Sequence, residues 1–185
     1  MYDRNALIEL VREKALQFGQ FTLASGKQAS YYLDCRKITL DSAGARLVGE
    51  GILDLLGEPL PDAVGGMAIG ADPISAATIT MAAVHGQALR GFIVRKESKT
   101  HGTGRMVEGP VDSGDRVVIV EDVVTTGGSS LRAIEHVEQA GLQVEGVIAI
   151  IDRLEGGAEA FAAKGHQLRT LLTIRDFGIE APGDT

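Results

Sequence analysis

The chain has 185 residues, of which 44% are hydrophobic and 23% charged, and its formal net charge is −7. These values fit one folded domain with at most a small appendage, and the acidic balance argues against nonspecific binding of nucleic acid. No segment approaches the roughly 20 consecutive apolar residues that cross a membrane, so neither nucleic acid nor a membrane is an expected partner.

Hydrophobic residues alternate between the helical and the strand period along the chain. In chain order the pattern predicts a helix over 4–17, strands at 21–23 and 30–34, a helix over 42–56, a strand at 62–67, a helix over 72–84, strands at 91–94 and 117–120, a helix around 131–137, and a strand at 144–151. Asp3 is placed to cap the first helix, Asp41 or Ser42 to cap the second, and Gly57 to close it. This alternation predicts an α/β protein with a parallel sheet covered on both faces, whose ligands bind at the carboxyl ends of the strands.

The chain has one cysteine, Cys35, which cannot form an internal disulfide. A lone cysteine is typical of a reducing compartment, and we expect it to pack as a structural thiol. The N-terminus has no signal-peptide pattern, because Arg12, Glu13 and Lys14 interrupt its apolar residues. The expected location is therefore the cytoplasm.

The most informative segment is residues 116–130, RVVIVEDVVTTGGSS. Its β-branched run predicts a buried strand with Glu121 and Asp122 at the carboxyl end, followed by a Thr/Gly/Ser turn that opens a helix. Such a turn offers backbone N–H groups and a helix dipole to a phosphate, and an acidic pair beside it suits sugar hydroxyls or polyphosphate-bound Mg2+. Phosphoribosyl pyrophosphate (PRPP) combines these groups. The structural alternative is an acidic pair that only caps a plain strand–helix turn.

Residues 95–108 carry a net positive charge, although the chain as a whole is acidic. Four basic and two acidic side chains give this segment a charge of +2, on a chain that is otherwise −9. A local cluster of cations on an acidic protein favours a small, highly anionic ligand. The region from 96 to 114 is polar and has no periodicity, which predicts a functional lid, with a plain surface hairpin as the alternative.

Four segments resemble one enzyme family. EDVVTTGGSS at 121–130 resembles the PRPP-binding motif of the type I phosphoribosyltransferases, and RKESKTHG at 95–102 is similar to the mobile catalytic loop of the orotate phosphoribosyltransferases. FTLASGKQASYYLDCRK at 21–37 is similar to the base-covering hood of that family, and IDRLEGG at 151–157 lies where the family places an orotate-binding arginine. Together the segments sample nearly the whole chain.

The resemblance implies the type I phosphoribosyltransferase fold, in which helices flank a central, mostly parallel sheet and N- and C-terminal segments form a small hood. We expect a single domain over 1–185, with a core at about 42–152, a hood at about 1–40 with 153–180, and a mobile catalytic loop at about 95–110. The family is typically dimeric, so a homodimer is expected in which this loop acts across the interface.

The implied reaction transfers the 5-phosphoribosyl group from PRPP to orotate, giving orotidine 5′-monophosphate and pyrophosphate in pyrimidine biosynthesis. Mg2+ would be carried by PRPP near the acidic pair, without direct protein ligands. The catalytic residues implied are Arg95, Lys96, Lys99 and His101. The same four would bind PRPP, with Glu121, Asp122, Val123, Val124, Thr125, Thr126, Gly127, Gly128 and Ser129. Those implied for orotate are Thr125, Arg153, Lys27, Tyr31 and Tyr32.

Two positions depart from the family pattern. The segment GMAIGADPI at 66–74 has Asp72 and no lysine, and Ala24 stands where some relatives have a lysine. Two other functions stay open: a phosphoribosyltransferase for another base, and a regulator that senses PRPP or nucleotides on the same fold. Arg153 and the hood segment argue against the first. The acidic charge and the complete cationic loop argue against the second.

We expect Lys99→Ala to reduce turnover far more than PRPP affinity. The charge of Lys99 matters most as pyrophosphate leaves, and an interaction made only at that point raises kcat without tightening binding. Steady-state kinetics beside direct PRPP binding would separate the two effects. Equal losses in rate and affinity, or no loss in either, would contradict this assignment.

Overall fold

The computed structural model describes residues 2–22, 28–97 and 105–181. The elements are α1 Arg4–Lys14, β1 Leu16–Thr22, β2 Gln28–Leu33, α2 Arg36–Thr39, α3 Ser42–Leu56, β3 Ala63–Met67, α4 Ala71–Val84, β4 Arg90–Val94, β5 Val107–Glu108, β6 Arg116–Val124, α5 Gly128–Gln139, β7 Gln143–Asp152, α6 Gly157–Ala162, β8 Leu168–Thr173 and a 3-10 helix Ile174–Phe177. Helices and strands thus alternate through most of the chain.

The large sheet has six strands in the order β5-β4-β3-β6-β7-β8. Its neighbours run parallel, except that β5 pairs antiparallel with β4. All five residues of β3 are buried, as is the run 117–121 of β6. Continuous burial of this kind arises when helices cover both faces of a parallel sheet. The prediction of a mostly parallel α/β fold is confirmed.

Two hydrophobic clusters occupy the two faces of the sheet. On one face α1, α3 and α4 contribute residues such as Leu7, Ile52 and Ile74. On the other, α5 and α6 contribute Val137 and Phe161. The helices begin where polar caps were predicted, because the Asp3 carboxylate accepts from the Ala6 N–H at 3.0 Å and Asp41 caps α3 in the same way.

The first helix is shorter than predicted. It ends at Lys14, and β1 begins two residues later, pairing antiparallel with β2 from Leu16↔Leu33 to Thr22↔Gln28. The ladder with β2 supplies backbone partners that a longer helix would have taken within itself. The two strands form a separate small sheet, which contains much of the segment predicted as the hood.

The strand β6 is longer than the sequence predicts. It continues to Val124, because the ladder with β7 extends through Glu121↔Ala149 to Val124↔Asp152. Glu121 and Asp122 therefore lie inside the strand, three and two residues before its end. The segment 153–180 supplies β8, which pairs with β7 in the large sheet, so the C-terminal limit of the hood stays a prediction.

Cys35 lies in the hydrophobic cluster on the α1 face, with 1% of its surface exposed. Burial, together with the charges of Asp122 and Asp34, raises the pKa of its thiol well above the ordinary value. A protonated, buried thiol agrees with the predicted structural role. Within the described ranges, no helix is long and apolar enough to cross a membrane.

We expect Gly66→Ala in β3 to destabilise the fold by about 1–3 kcal/mol, the usual cost of overpacking a core. A Cβ at this position would meet the Val120 carbonyl oxygen and lie 2.8 Å from the Ala71 Cβ. Gly91→Ala in β4 is the matched control, because its Cβ would come no closer than 3.4 Å to any neighbour. Denaturant unfolding would compare the two variants, and equal midpoints would contradict the packing argument.

Candidate active site

Two adjoining clefts lie at the carboxyl ends of β3, β4 and β6. The larger has a volume of about 470 Å3 and is lined by residues from β2, α2, the β3–α4 loop, the end of β4, and β6. The smaller, of about 270 Å3, surrounds the turn between β6 and α5. Both clefts include Glu121, Val123 and Ser129, so they form one continuous depression. This is the edge at which ligands of open α/β sheets bind.

The smaller cleft is built from the turn that the sequence singled out. It is lined by Glu121, Val123, Val124, Thr125, Thr126, Gly127, Gly128, Ser129, Ser130 and Arg132. Gly127 has a φ of 79°, and a Cβ there would lie 3.0 Å from the Phe161 ring, so two constraints favour glycine. The α5 helix starts at the next residue. The N–H groups and the dipole at a helix N-terminus favour the binding of an anion.

Glu121 lines both clefts and Asp122 lines the larger one, and the two side chains differ in exposure. Glu121 is 7% exposed, whereas Asp122 is half-buried. Glu121 accepts a hydrogen bond from the Ser130 hydroxyl at 2.7 Å, and Asp122 accepts one from the Val123 N–H at 2.9 Å. Asp122 also lies beside Gly70, where a Cβ would come within 3.2 Å of the carboxylate.

Burial raises the pKa of Glu121 to about 7, and the charge of Asp122 adds to this rise. The hydrogen bond from Ser130 acts in the opposite direction, because it favours the ionised carboxylate. Perturbed carboxyl groups in a cleft are typical of functional sites.

The cationic loop is described at its two ends. Lys96 is exposed and lines the larger cleft. Arg95 lies at the end of β4, where its N–H donates to the Met106 carbonyl at 2.8 Å and its Nη1 is 3.7 Å from Glu108 Oε1. The Arg95 Nε is buried without a hydrogen-bond partner among the described residues. Lys99, His101 and Lys27 lie outside the described residues.

Arg153 follows β7 and is held on two sides. Its Nε donates to the Tyr31 hydroxyl at 2.9 Å, and its Nη2 is 2.8 Å from Glu155 Oε1. The guanidinium carbon also lies 4.7 Å from the centre of the Tyr31 ring. Tyr31, which contacts Arg153, is only 6% exposed. Tyr32 is 39% exposed and lines the larger cleft.

Asp72 lies in the first turn of α4. Burial raises the pKa of its carboxyl group, and its Oδ1 is buried without a hydrogen-bond partner in the part of the chain that is described. Across that same part, no group of three or more His, Cys, Asp or Glu side chains is arranged to hold a metal ion.

Sequence reasoning missed three residues of the site: Ser130, Arg132 and Glu155. Arg132 is four residues after Gly128 on α5, and its Nη1 lies 3.9 Å from where a Gly128 Cβ would stand. Residues four apart are neighbours on one helical face, and side chains point towards the N-terminus, so this spacing could have identified Arg132. For Ser130 and Glu155, only the folded contacts reveal the partner.

Comparison with known proteins identifies the class. Residues 44–165 match the phosphoribosyl transferase domain family, a range that includes the acidic pair, the turn and Arg153. The orotate phosphoribosyltransferase of Rhodopirellula baltica is 58% identical over 184 residues, covering 96% of this chain and 95% of the relative. The chain belongs to the orotate phosphoribosyltransferase family, and its fold is that of the type I phosphoribosyltransferases.

Solved structures give the same result. The orotate phosphoribosyltransferase of Mycobacterium tuberculosis in complex with Fe(III) dicitrate has a TM-score of 0.84 and 39% identity, and the match covers 95% of this chain and 99% of that one. The same enzyme in complex with PRPP has a TM-score of 0.81 and 36% identity, with the same coverage. The resemblance read from the sequence is therefore confirmed at the level of family and fold.

We expect Arg132→Gln to weaken the binding of ribose 5-phosphate by about tenfold, because the cation lines the smaller cleft beside the start of α5. Isothermal titration at low and high salt would measure this loss, which should shrink as salt screens the charge. Arg175→Gln, a change on the 3-10 helix outside both clefts, is the control. An unchanged affinity for Arg132→Gln would remove this side chain from the phosphate site.

Proposed function

We propose that the chain transfers the 5-phosphoribosyl group of PRPP to orotate, giving orotidine 5′-monophosphate and pyrophosphate in pyrimidine biosynthesis. The observation that carries the proposal is the continuity of the two clefts. An anion-binding turn, an acidic pair and Lys96 follow one another along a single depression. The three features match, in order, the 5′-phosphate, the ribose and the diphosphate of PRPP.

The turn between β6 and α5 would bind the 5′-phosphate. Residues 125–129 supply backbone N–H groups and the hydroxyls of Thr125, Thr126 and Ser129, and Arg132 adds a positive charge. Val123 and Val124 contribute backbone to the floor of this cradle. Glu121 and Asp122 would accept hydrogen bonds from the ribose hydroxyls, which a pair of neighbouring carboxylates can receive without a cation between them.

The cationic loop would bind the diphosphate. Arg95 and Lys96 lie at its described start, and Lys96 lines the larger cleft. Lys99 and His101 follow in sequence and would close over the same group. Mg2+ would arrive on the diphosphate, and the acidic pair fits an ion there because both side chains line the cleft that Lys96 also lines. When bound, the ion offsets the negative charge of the diphosphate.

Arg153 would bind the carboxylate of orotate. A guanidinium presents two parallel donors that match a carboxylate, and the contacts with Tyr31 and Glu155 fix the plane of this one in advance. Tyr32, which lines the larger cleft, and Thr125, which lines the smaller one, would complete the base site together with Lys27, which lies outside the described residues. In this arrangement Tyr31 acts on orotate through Arg153.

The chemistry then follows from position and charge. A ring nitrogen of orotate, having lost its proton to solvent, attacks C1 of the ribose, the bond from C1 to the diphosphate oxygen breaks, and its electron pair leaves with the diphosphate. Positive charge develops on the sugar, as in glycoside cleavage, and negative charge on the leaving group. The carboxylates and the cationic loop would stabilise these opposite charges, and closure of the loop over the site would exclude water from PRPP.

An apolar groove supports the proposed homodimer. It has a volume of about 500 Å3 and is lined by residues from the end of α2, the start of α3 and much of α4, among them Leu40, Pro73 and Met81. Leu40 is 75% exposed, which costs free energy for an apolar side chain unless another surface covers it. On this proposal a second copy would cover this face, and the loop 95–110 of each subunit would act across the interface. The buried thiol of Cys35 fits the cytoplasmic location we infer.

The test of this function is orotate consumption, followed by ultraviolet absorbance, with PRPP and Mg2+ present together or withheld singly. We expect loss of orotate only when both are present. Adenine, hypoxanthine and uracil in parallel assays should not react, because they have no carboxylate for Arg153. Turnover of another base would keep the PRPP site and discard Arg153 as the orotate anchor. No turnover of any base, with PRPP still bound, would favour the regulator.

A further inference from the structure

Ser130 is a buried hydroxyl at the smaller cleft, and it is hydrogen-bonded to Glu121, which lines both clefts. It lies in the first turn of α5, the helix whose N-terminus faces the phosphate site, and is 1% exposed. Its Oγ donates to Glu121 Oε2 at 2.7 Å, across nine residues of sequence and from helix to strand. The other oxygen of the same carboxylate, Oε1, accepts the Asp122 N–H at 3.3 Å.

This hydrogen bond differs from those of the helical hydroxyls on α4. There Ser75, Thr78 and Thr80 donate to carbonyl groups four residues earlier in their own helix, which is the usual local solution for a helical hydroxyl. Ser130 instead donates its hydrogen bond to an acidic side chain of β6. A donor of this kind fixes the rotamer of the carboxylate and favours its ionised form, which is the form that accepts two hydroxyl donors.

We propose that Ser130 is a positioning residue for the reaction, which holds the Glu121 carboxylate in the orientation that receives the ribose hydroxyls of PRPP. The inference rests on the proposed function. It adds a physical link between the two halves of the PRPP site, because the helix that receives the 5′-phosphate also orients the carboxylate that receives the sugar. Ser130 itself has no role at the reacting atoms. The pKa of Glu121, raised by burial and lowered by this bond, agrees with such a link.

The test compares two sugar phosphates that differ only in the hydroxyls concerned. Ribose 5-phosphate and 2,3-dideoxyribose 5-phosphate would be titrated calorimetrically into the wild-type chain and into Ser130→Ala. We expect the Kd of ribose 5-phosphate to rise about tenfold in the variant, the usual effect of removing a hydrogen bond to a charged group. The Kd of the dideoxy compound should change less than about twofold, because that ligand does not use the carboxylate.

Two further variants control for the fold. Ser75→Ala removes a hydroxyl that is equally buried, at 5% exposure, and should leave the affinity for both ligands unchanged. Ser130→Thr keeps the donor and should restore the binding of ribose 5-phosphate. If Ser130→Ala does not fold, Ser130→Cys gives the same comparison, since a thiol has a similar size but donates weakly.

Each outcome decides the inference. Equal losses for the two sugar phosphates would make Ser130 a structural residue of the phosphate turn, and no loss for either would remove the link to Glu121; both overturn the inference while the proposed function stands. A wild-type chain that binds neither sugar phosphate would overturn the PRPP site itself and the inference with it. Only a loss confined to ribose 5-phosphate supports the positioning role.

Discussion

The passage from β6 through a tight turn into α5 is the constraint on which the rest of the site depends. Burial of the strand on both faces fixes its direction, and its ladder with β7 carries that order through Glu121 to Val124. Gly127 then reverses the chain over the Phe161 ring, so α5 starts at the strand's end with its N–H groups outward. The proposed anion site and the carboxylate pair therefore share one frame of strand, turn and helix.

This arrangement of strand, turn and helix has an acidic side chain at a buried strand position, where an apolar side chain would be usual. Glu121 occupies a strand position at 7% exposure, and burial beside Asp122 raises its pKa to about 7. Such a group weakens the fold in the absence of a ligand, because desolvation of a charge is costly. The cost is small only if hydroxyl donors satisfy the carboxylate. Ser130 supplies one of them, and on the proposed function the ribose supplies the others when PRPP binds.

Local signals in the sequence were enough to predict the strand, the turn and the helices, but they do not predict the contacts between residues far apart in the chain. The β-branched run, the caps Asp3 and Asp41 and the turn at 125–129 all act over short distances, so β6, α1, α3 and the turn between β6 and α5 could be predicted. The strand β1 depends on pairing with β2, and β5 has only two residues, which is too short for any period to show. The contact between Arg153 and Tyr31 joins residues 122 apart, and no local pattern encodes it.

The surroundings of Arg153 also determine how a substrate carboxylate can bind to it. The Arg153 side chain is 13% exposed, and a buried guanidinium needs an anion beside it at all times. Glu155 provides that anion in the free protein, from only two residues along the same loop. On the proposed function, the carboxylate of orotate therefore replaces that of Glu155 beside Arg153. The net gain in binding free energy then comes from the second N–H donor of the guanidinium and from its fixed orientation. An uncharged base offers no replacement for Glu155, which makes the ion pair itself a source of selectivity.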